Sequence, residues 1–318
     1  MEGKAILGYI IRRLLWTAVV ITGAVTIVFF VMRVAGGDPT YTILGHYASP
    51  EAQEALRQKL GLTLPLHIQY FEYIRRLVTF DLGYSLIQKV PIADLIAYNF
   101  RFTLELSIGG FLVALVVGLP LGILAACKPN SKTDHVVRIL SLIFPSMPPF
   151  YIGVIFILLL GIMYPLFPPS GGGELSDFWG RLYRLILPGV SLGLFISGVI
   201  SRITRASMLD ALKKDHVMVA RSKGLSEFKT IMKHVFRNAL IPIVTIAGML
   251  LASIFAGTVM TETVFGRAGL GKLLVISVNS RDYPVVETLL ALFSFMIAFA
   301  NLAVDLIYAL IDPRITFD

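Results

Sequence analysis

Six long apolar stretches separated by polar segments organise the chain. They run over Leu14–Met32, about Phe102–Ala126, a stretch that begins near Ile139, Leu185–Ser201, Ala239–Thr261 and about Val286–Leu310. About 20 consecutive apolar residues suffice to cross the hydrocarbon core of a bilayer as a helix. A helix satisfies its own backbone hydrogen bonds where no water can. The pattern therefore predicts an all-α membrane protein with six transmembrane helices.

The distribution of charge predicts how these spans are oriented. Nine Lys or Arg and three acids fall between residues 202 and 237, whereas 185–201 and 238–261 contain no charge. Each basic side chain at the bilayer centre costs about 2.5–3.5 kcal/mol, and basic loops stay in the cytoplasm. The loop 206–238 is therefore predicted to be cytoplasmic, as are both termini. Residues 34–99, with six acids and five bases, are predicted to be external.

These assignments divide the chain into three parts. Residues 1–33 form the N-terminus and the first span, 34–99 an external helical region, and 100–318 the core with spans two to six. The external region contains two amphipathic patterns, Pro50–Gly61 and Ile68–Phe80, which predict short helices. We expect the aromatic side chains of the second helix to lie at the level of the lipid headgroups: Tyr70, Phe71 and Tyr73.

The basic loop itself has a helical pattern. Apolar residues recur every three or four positions from Val217 to Phe236, with one interruption at Gly224. Glycine adopts positive φ without a Cβ clash, so Gly224 predicts a turn between two short helices, with Ser226 capping the second. Such a hairpin either merely connects two spans or docks onto a partner subunit.

Two phrases in this loop carry a family resemblance. Ala220-Arg221-Ser222-Lys223-Gly224-Leu225 and His234-Val235-Phe236-Arg237-Asn238-Ala239-Leu240-Ile241-Pro242 resemble the cytoplasmic coupling loop of ABC-importer permeases of the dipeptide, oligopeptide and nickel type. Met218-Val219-Ala220 stands where the broader pattern has Glu-Ala-Ala. The resemblance implies contact with an ATPase through the following residues: Ala220, Arg221, Lys223, Gly224, Leu225, Phe228, His234, Arg237, Asn238 and Pro242.

The resemblance extends over the full chain. The stretch Glu262–Gly271 is similar to the outer loop between the last two spans of these permeases, and the ending is similar at Asn301–Asp305 and Asp312–Ile315. The fold it implies is that of a type I ABC importer permease, with an external helical insertion between spans one and two. The implied location is the cytoplasmic membrane of a bacterium or archaeon.

The resemblance also implies the partners and the mechanism. The partners are a homologous second permease subunit, two cytoplasmic ATPases, an external substrate-binding protein and membrane lipid. ATP and magnesium would be bound by the ATPases, so this chain would have no cofactor. The hairpin would move with the ATPases, with Val219, Ala220, Leu225 and Phe228 in their clefts, and drive alternating access. Peptides are the implied cargo; relatives carry nickel, glutathione or oligosaccharides.

Other sequence features point away from chemistry in this chain. Gly266–Lys272 matches the phosphate-binding pattern G-x-x-x-x-G-K, but Leu273 occupies the Ser/Thr position and the segment follows a membrane helix. The five histidines are scattered, and the single cysteine, Cys127, excludes an intrachain disulfide. The net charge of +8 lies in the loops that should be positive in a membrane protein, which argues against nucleic-acid binding. We expect neither a catalytic site nor a metal site.

Several alternatives remain open from sequence alone. The proline cluster Pro145–Pro149 is either a kink, which we favour, or part of a gate. The small residues of spans four and five either pack helices or line a path, and packing is favoured. Asp305, one turn after Asn301, is interpreted as structural. The main alternative function is an ion-coupled carrier, which would require charged residues near the membrane midplane or an inverted repeat.

Overall fold

The computed structural model describes residues 2–34, 37–45 and 48–311, and the side chains among them except those at 2–7, 9, 42 and 305–311. Two features of the sequence analysis lie outside the described residues. They are Asp312–Ile315, which carry part of the family resemblance, and the side chain of Asp305. The described chain is helical, with a single isolated bridge between Tyr84 and Pro91. Its α-helices are α1 Glu2–Val34, α2 Pro39–Leu44, α3 Pro50–Lys59, α4 Leu66–Thr79, α5 Ile92–Cys127, α6 Lys132–Ser146, α7 Pro149–Phe156, α8 Phe178–Leu212, α9 Asp215–Ser222, α10 Glu227–Lys229, α11 Arg237–Val264, α12 Leu270–Asn279 and α13 Tyr283–Ile311.

Five helical segments are long and apolar enough to cross a membrane: Ile10–Val34, Ile92–Cys127, Phe178–Leu212, Glu227–Val264 and Tyr283–Val304. A sixth candidate is the bent pair Lys132–Ser146 and Pro149–Met163. Each predicted span overlaps one of these segments, and the last one, Val286–Leu310, lies within α13. Two π-helical stretches, Ile157–Met163 and Thr230–Phe236, extend α7 and precede α11. We call the end of the bundle that carries residues 128–132 and 213–238 the hairpin end.

Span three is broken rather than gently kinked. Its two halves meet at an angle of 99° between Ser146 and Pro149. Met147 has an extended backbone there, and Pro148 and Pro149 follow it. A proline lacks an N–H and biases the preceding residue away from the helical region, so consecutive prolines end a helix. The predicted irregularity is confirmed, and it is larger than a kink within one helix.

Close approach of glycine-bearing helices forms the centre of the bundle. A Cβ on Gly118 would lie 2.8 Å from the Ser197 carbonyl oxygen, and one on Gly122 would lie 2.5 Å from the Thr204 Cβ. These glycines let α5 and α8 pack backbone against backbone, as small residues do in membrane bundles. On α8, Gly193 faces α5 in the same way. The prediction that small residues of span four pack helices is therefore confirmed.

Large aliphatic side chains surround this contact. Leu106, Leu192, Ile196, Ile200 and Ile254 are each at most 2% exposed and form one cluster between α5, α8 and α11. Lipid tails are as apolar as these side chains, so the hydrophobic effect contributes little to helix association in a membrane. Such packing stabilises a bundle through dispersion contacts instead. The three helices therefore form one packed unit.

The helix α4, within the region predicted to be external, packs on span one through aromatic side chains. Tyr73 of α4 is 8% exposed and stacks on Phe29 at 5.7 Å between ring centroids. Tyr70 shares a hydrogen bond of 2.7 Å with Thr26 and also contacts Phe29. Both side chains therefore fill the interface between α4 and α1, and their position at the level of the lipid headgroups stays a prediction. Phe71, on another face of α4, is 69% exposed.

An ion pair connects α2 and α3 in the external region. Arg57 Nε donates to Asp38 Oδ2 at 2.6 Å, and Asp38 also caps α2 by accepting from the Thr40 backbone at 2.9 Å. Burial alone would raise the pKa of Asp38, but the bonds from Thr40 and Arg57 outweigh it and lower that pKa below its usual value. The carboxylate is therefore ionised wherever the protein is near neutral pH. Ser49 caps α3, which begins at Pro50 as the sequence predicts.

Filling the α5–α8 contact will destabilise the bundle. Gly122→Val places a branched side chain where even a Cβ would lie 2.6 Å from the Ser201 carbonyl oxygen. We expect a loss of about 1–3 kcal/mol from overpacking, measured as a lower thermal midpoint of the purified complex in detergent. Gly23→Val on α1 is the matched control, because no atom lies within 4 Å of the position that a Cβ would occupy there. Equal midpoints for the two variants would contradict this packing.

Candidate coupling site

A helical hairpin, residues 213–238, extends from the end of α8. The helix α8 continues without a break from Phe178 to Leu212, ten residues beyond Arg202. After two residues the chain enters α9, turns at Gly224, and returns through α10 and the π-helical stretch into α11. The hairpin is therefore continuous with span four on one side and span five on the other.

The turn at Gly224 has the predicted geometry. Its φ is +73°, and its backbone N–H donates to the Arg221 carbonyl at 2.9 Å. No atom lies within 4 Å of the position that a Cβ would occupy, so the constraint at Gly224 is conformational rather than steric. Ser226 holds the N-cap position of α10, but its side chain makes no capping hydrogen bond. The predicted Ser226 cap is therefore wrong in its chemistry, although right in its position.

The inner face of the hairpin packs on the bundle. Val217 and Val235 are fully buried in a cluster that includes Met208 of α8 and Ile243 of α11. Ala220 is also buried, at 4% exposure. Ala220 was predicted to enter a partner's cleft, but it is buried within this chain. This face fixes the hairpin to spans four and five.

The outer face of the hairpin is exposed and apolar at its centre. Met218, Val219 and Phe228 are 70%, 51% and 77% exposed. We call these three residues the outer patch. Lys223 and Arg237 are exposed on the hairpin as well, whereas Leu225 is half-buried. An exposed apolar group with basic neighbours is the composition expected of a protein-binding surface.

The remaining predicted residues lie at the base of the hairpin. Asn238 is exposed, and its amide nitrogen lies 2.9 Å from His216 Nε2 and donates to the His234 carbonyl at 2.7 Å. These contacts join α9 to the start of α11. Pro242 lies inside α11, one turn later, and His234 is half-buried. No pattern in the sequence indicated that His216 would join this group.

A second contact crosses the turn. Arg221 donates to both carboxylate oxygens of Glu227, at 3.2 and 2.6 Å. The hydrogen bond to Glu227 raises the pKa of Arg221, so this guanidinium stays charged. Arg221 was predicted to contact an ATPase; within this chain it is bound to Glu227. Since both side chains are about half exposed, the pair contributes little stability by itself and mainly orients the turn.

A buried ion pair connects the hairpin end of α8 to span three. Arg205 Nε and Nη2 donate to the two oxygens of Asp134 at 2.6 and 2.7 Å, and Asp134 is fully buried. The backbone of Asn130 donates to the same carboxylate at 2.9 Å. A bidentate arginine pair fixes both distance and orientation. The only sequence signal for this pair was that Asp134 is the single acid in a basic loop.

At the opposite end, the segment Gly266–Lys272 binds a carboxylate of this chain. The backbone N–H groups of Gly271 and Lys272 donate to Glu262 Oε2 at 2.8 and 3.2 Å. Thr103 donates to the other carboxylate oxygen at 2.7 Å, and Glu262 is fully buried. In a phosphate-binding loop such amides cradle a phosphate. Here the carboxyl group of Glu262 accepts hydrogen bonds from them.

Two further cations of this region are also bound within the chain. Lys272 Nζ donates to the Gly266 carbonyl at 2.9 Å, and Arg267 Nη2 donates to Glu105 Oε2 at 2.6 Å. Arg267 is fully buried and lies over the Phe102 ring at 5.3 Å. These contacts hold the segment against the end of α5 that lies opposite the hairpin. In the part of the chain that the structure describes, no group of three His, Cys, Asp or Glu side chains is placed to hold a metal ion.

Family models identify the architecture. Residues 118–317 match the model described as the inner membrane component of binding-protein-dependent transport systems, and residues 6–107 match the N-terminal model of the same components. The chain belongs to this permease family. It is the permease subunit of an ABC importer and a multi-pass protein of the cytoplasmic membrane. Its transport system therefore includes an ATPase and a substrate-binding protein.

Curated relatives match this permease over nearly its whole length. It is 35% identical to the oligopeptide transport system permease protein AppB of Bacillus subtilis, over 97% of this chain and 99% of that one. It is 35% identical to the dipeptide permease DppB of Alkalihalophilus pseudofirmus, over 98% and 100%. It is 37% identical to the glutathione permease GsiC of Escherichia coli K12, over 98% and 99%.

Solved structures share the fold at lower identity. An inward-facing structure of the MetNI methionine ABC transporter matches with a TM-score of 0.57 and 20% identity, over 70% of the permease and 98% of that chain. An amino acid ABC transporter matches with a TM-score of 0.53 and 15% identity, over 68% and 94%. The predicted all-α type I importer fold is confirmed.

Removing the charge of Asp134 will loosen the α6–α8 contact. Asp134→Asn leaves Arg205 without its carboxylate, and because Arg205 is 23% exposed the loss is limited by water. We expect destabilisation of about 1–3 kcal/mol, read from the thermal midpoint of the purified complex. Asp210→Asn, an exposed position on α8, is the control and should leave the midpoint unchanged. A wild-type midpoint in the Asp134 variant would show that the pair contributes nothing.

Proposed function

We propose that this permease translocates peptides, and that partner ATPases drive it through the hairpin 213–238. The observation that carries the proposal is the two-sided hairpin. Its inner face is buried against spans four and five, while the outer patch of Met218, Val219 and Phe228 is open to a partner. A surface fixed to two spans transmits a partner's displacement to both.

The orientation and assembly follow from this role. The hairpin end faces the cytoplasm, as the excess of Lys and Arg there favours. Two ATPases bind ATP and magnesium. One ATPase contacts the hairpin of this chain, and the other contacts the hairpin of a homologous second permease. This chain performs no catalysis of its own. The external substrate-binding protein delivers cargo to the end that carries residues 34–99.

Displacement would reach span three by a defined route. The helix α8 carries motion from the hairpin into the membrane, since it is one helix over 35 residues. Arg205 of α8 binds Asp134 at the start of α6, so the inner half of span three moves with α8. The break of 99° separates that half from α7. The break would let the angle between the two halves of span three change during alternating access.

The names of the relatives support a peptide cargo. Relatives with nearly full-length matches are named as oligopeptide, dipeptide and glutathione permeases. Glutathione is itself a small peptide, so all three names describe one chemical class. We therefore propose di- and oligopeptides as cargo, with glutathione as the alternative within that class.

Uptake into proteoliposomes tests the function. The complete transporter should accumulate a labelled oligopeptide with ATP and no ion gradient, and excess glutathione should compete only if glutathione is cargo. Gly224→Val forces a branched residue into φ +73° and should lower uptake about tenfold or more while ATP hydrolysis continues. Gly224→Asn, which tolerates positive φ, should retain most uptake. Uptake driven by an ion gradient alone would support the carrier alternative instead.

The outer patch predicts a separate binding defect. Phe228→Ala removes a ring that is 77% exposed, so we expect an unchanged fold and about tenfold weaker association with the ATPase. Association is measured by titrating the isolated ATPase onto the permease in nanodiscs. Phe71→Ala, a phenylalanine 69% exposed on α4, is the matched control. Equal affinity of both variants and wild type would exclude the outer patch from the interface.

A further inference from the structure

A cavity opens between α6 and α8 at the hairpin end. It has a volume of about 260 Å³ and is lined by Val137, Arg138, Ser141, Leu142, Ser201, Arg202 and Arg205. Contacts between the two helices bound the cavity at both of its ends along the helix axes. Toward the membrane, Gly198 approaches so closely that a Cβ there would lie 2.6 Å from Pro145 Cδ. Toward the hairpin, the Asp134–Arg205 pair joins the same helices.

The charge in this cavity is not balanced within the described chain. Asp134 neutralises Arg205 by its two hydrogen bonds. Arg138 and Arg202 are exposed, and neither makes an ion pair among the residues that the structure describes. The segments 128–143 and 198–209 together contain five Lys or Arg and one acid. Two guanidinium groups, one on each helix, therefore line one cavity with a net positive charge.

The position of the two arginines indicates the chemical class of the ligand. No charge occurs between Ile139 and Gly173 after Arg138, or between Leu185 and Ser201 before Arg202. Both arginines therefore mark the boundary between the apolar and the charged layers of the bundle. Beside Arg138, α6 exposes a row of apolar side chains at 43–57% exposure: Val136, Ile139, Leu142 and Ile143. The cavity thus combines a site for an anion with an adjoining surface for hydrocarbon.

We propose that this cavity binds the phosphate of an anionic phospholipid, with its acyl chains along the exposed row of α6. Guanidinium groups bind phosphate through charge-assisted hydrogen bonds, and basic pockets between transmembrane helices suit lipid headgroups. The lipid bridges α6 and α8 beside the Asp134–Arg205 pair. The proposal depends on the proposed function only for its assignment to the cytoplasmic leaflet.

Native mass spectrometry of the complete, delipidated transporter tests the site. Phosphatidylglycerol, phosphatidylcholine and inorganic phosphate are titrated separately, and bound species are counted. We expect phosphatidylglycerol to bind about tenfold or more tightly than phosphatidylcholine, since each basic residue near the headgroup adds attraction. The double variant Arg138→Gln with Arg202→Gln should lose that preference. Arg138→Lys with Arg202→Lys, which keeps both charges, should retain most of it and shows that the fold survives substitution there.

Lys128→Gln with Lys132→Gln is the matched control. It removes two exposed charges at the same end of the bundle but outside the cavity, and should bind phosphatidylglycerol as wild type does. A glutamine variant at 138 and 202 with wild-type affinity would overturn the proposal. So would equal binding of phosphatidylcholine, or displacement of phosphatidylglycerol by inorganic phosphate, which would assign the site to a soluble anion. Because the assay measures lipid binding, its outcome is independent of whether peptides are the cargo.

Discussion

The free-energy cost of placing ammonium or guanidinium groups in hydrocarbon determines where the charged residues of this permease lie. It confines Lys and Arg to the two ends of the bundle, so residues 185–201 and 238–261 carry no charge. Polar contacts that hold the helices together therefore occur in two layers. Asp134 binds Arg205 in one, and Glu105 binds Arg267 in the other. Between these layers, helix packing connects the ends.

That intervening packing is backbone against backbone. Glycines of α5 and α8 leave no room for a Cβ, so the two helices have little freedom to slide past each other. A partner that displaces the hairpin therefore displaces α8 and α5 as a unit. Such rigid-body movement is one of the recognised ways in which a small shift at one site becomes a large change at another.

The sequence predicted the spans and the turn because both depend on local chemistry: charge-free length in the first case, and positive φ at Gly224 in the second. The sequence did not predict which side chains contact residues that are distant along the chain. Periodicity identified α4 as amphipathic but did not indicate that Tyr70 and Tyr73 pack on Phe29 of α1. Periodicity likewise placed Ala220 on an apolar edge without indicating that this residue is buried within the chain itself.

The phosphate-like loop shows why residue spacing alone does not identify a site. Its backbone presents N–H groups as a nucleotide-binding loop would, yet the N–H groups of Gly271 and Lys272 donate to Glu262, and Thr103 donates to the same carboxyl group. A buried carboxyl group requires such donors, because its desolvation is costly unless hydrogen bonds compensate. The loop therefore binds an internal side chain, and these contacts join α12 to α5 and α11 at the end opposite the hairpin. Ion pairs and buried carboxylates thus fix the bundle at both ends, while the break in span three provides a place between them where the helices can change angle.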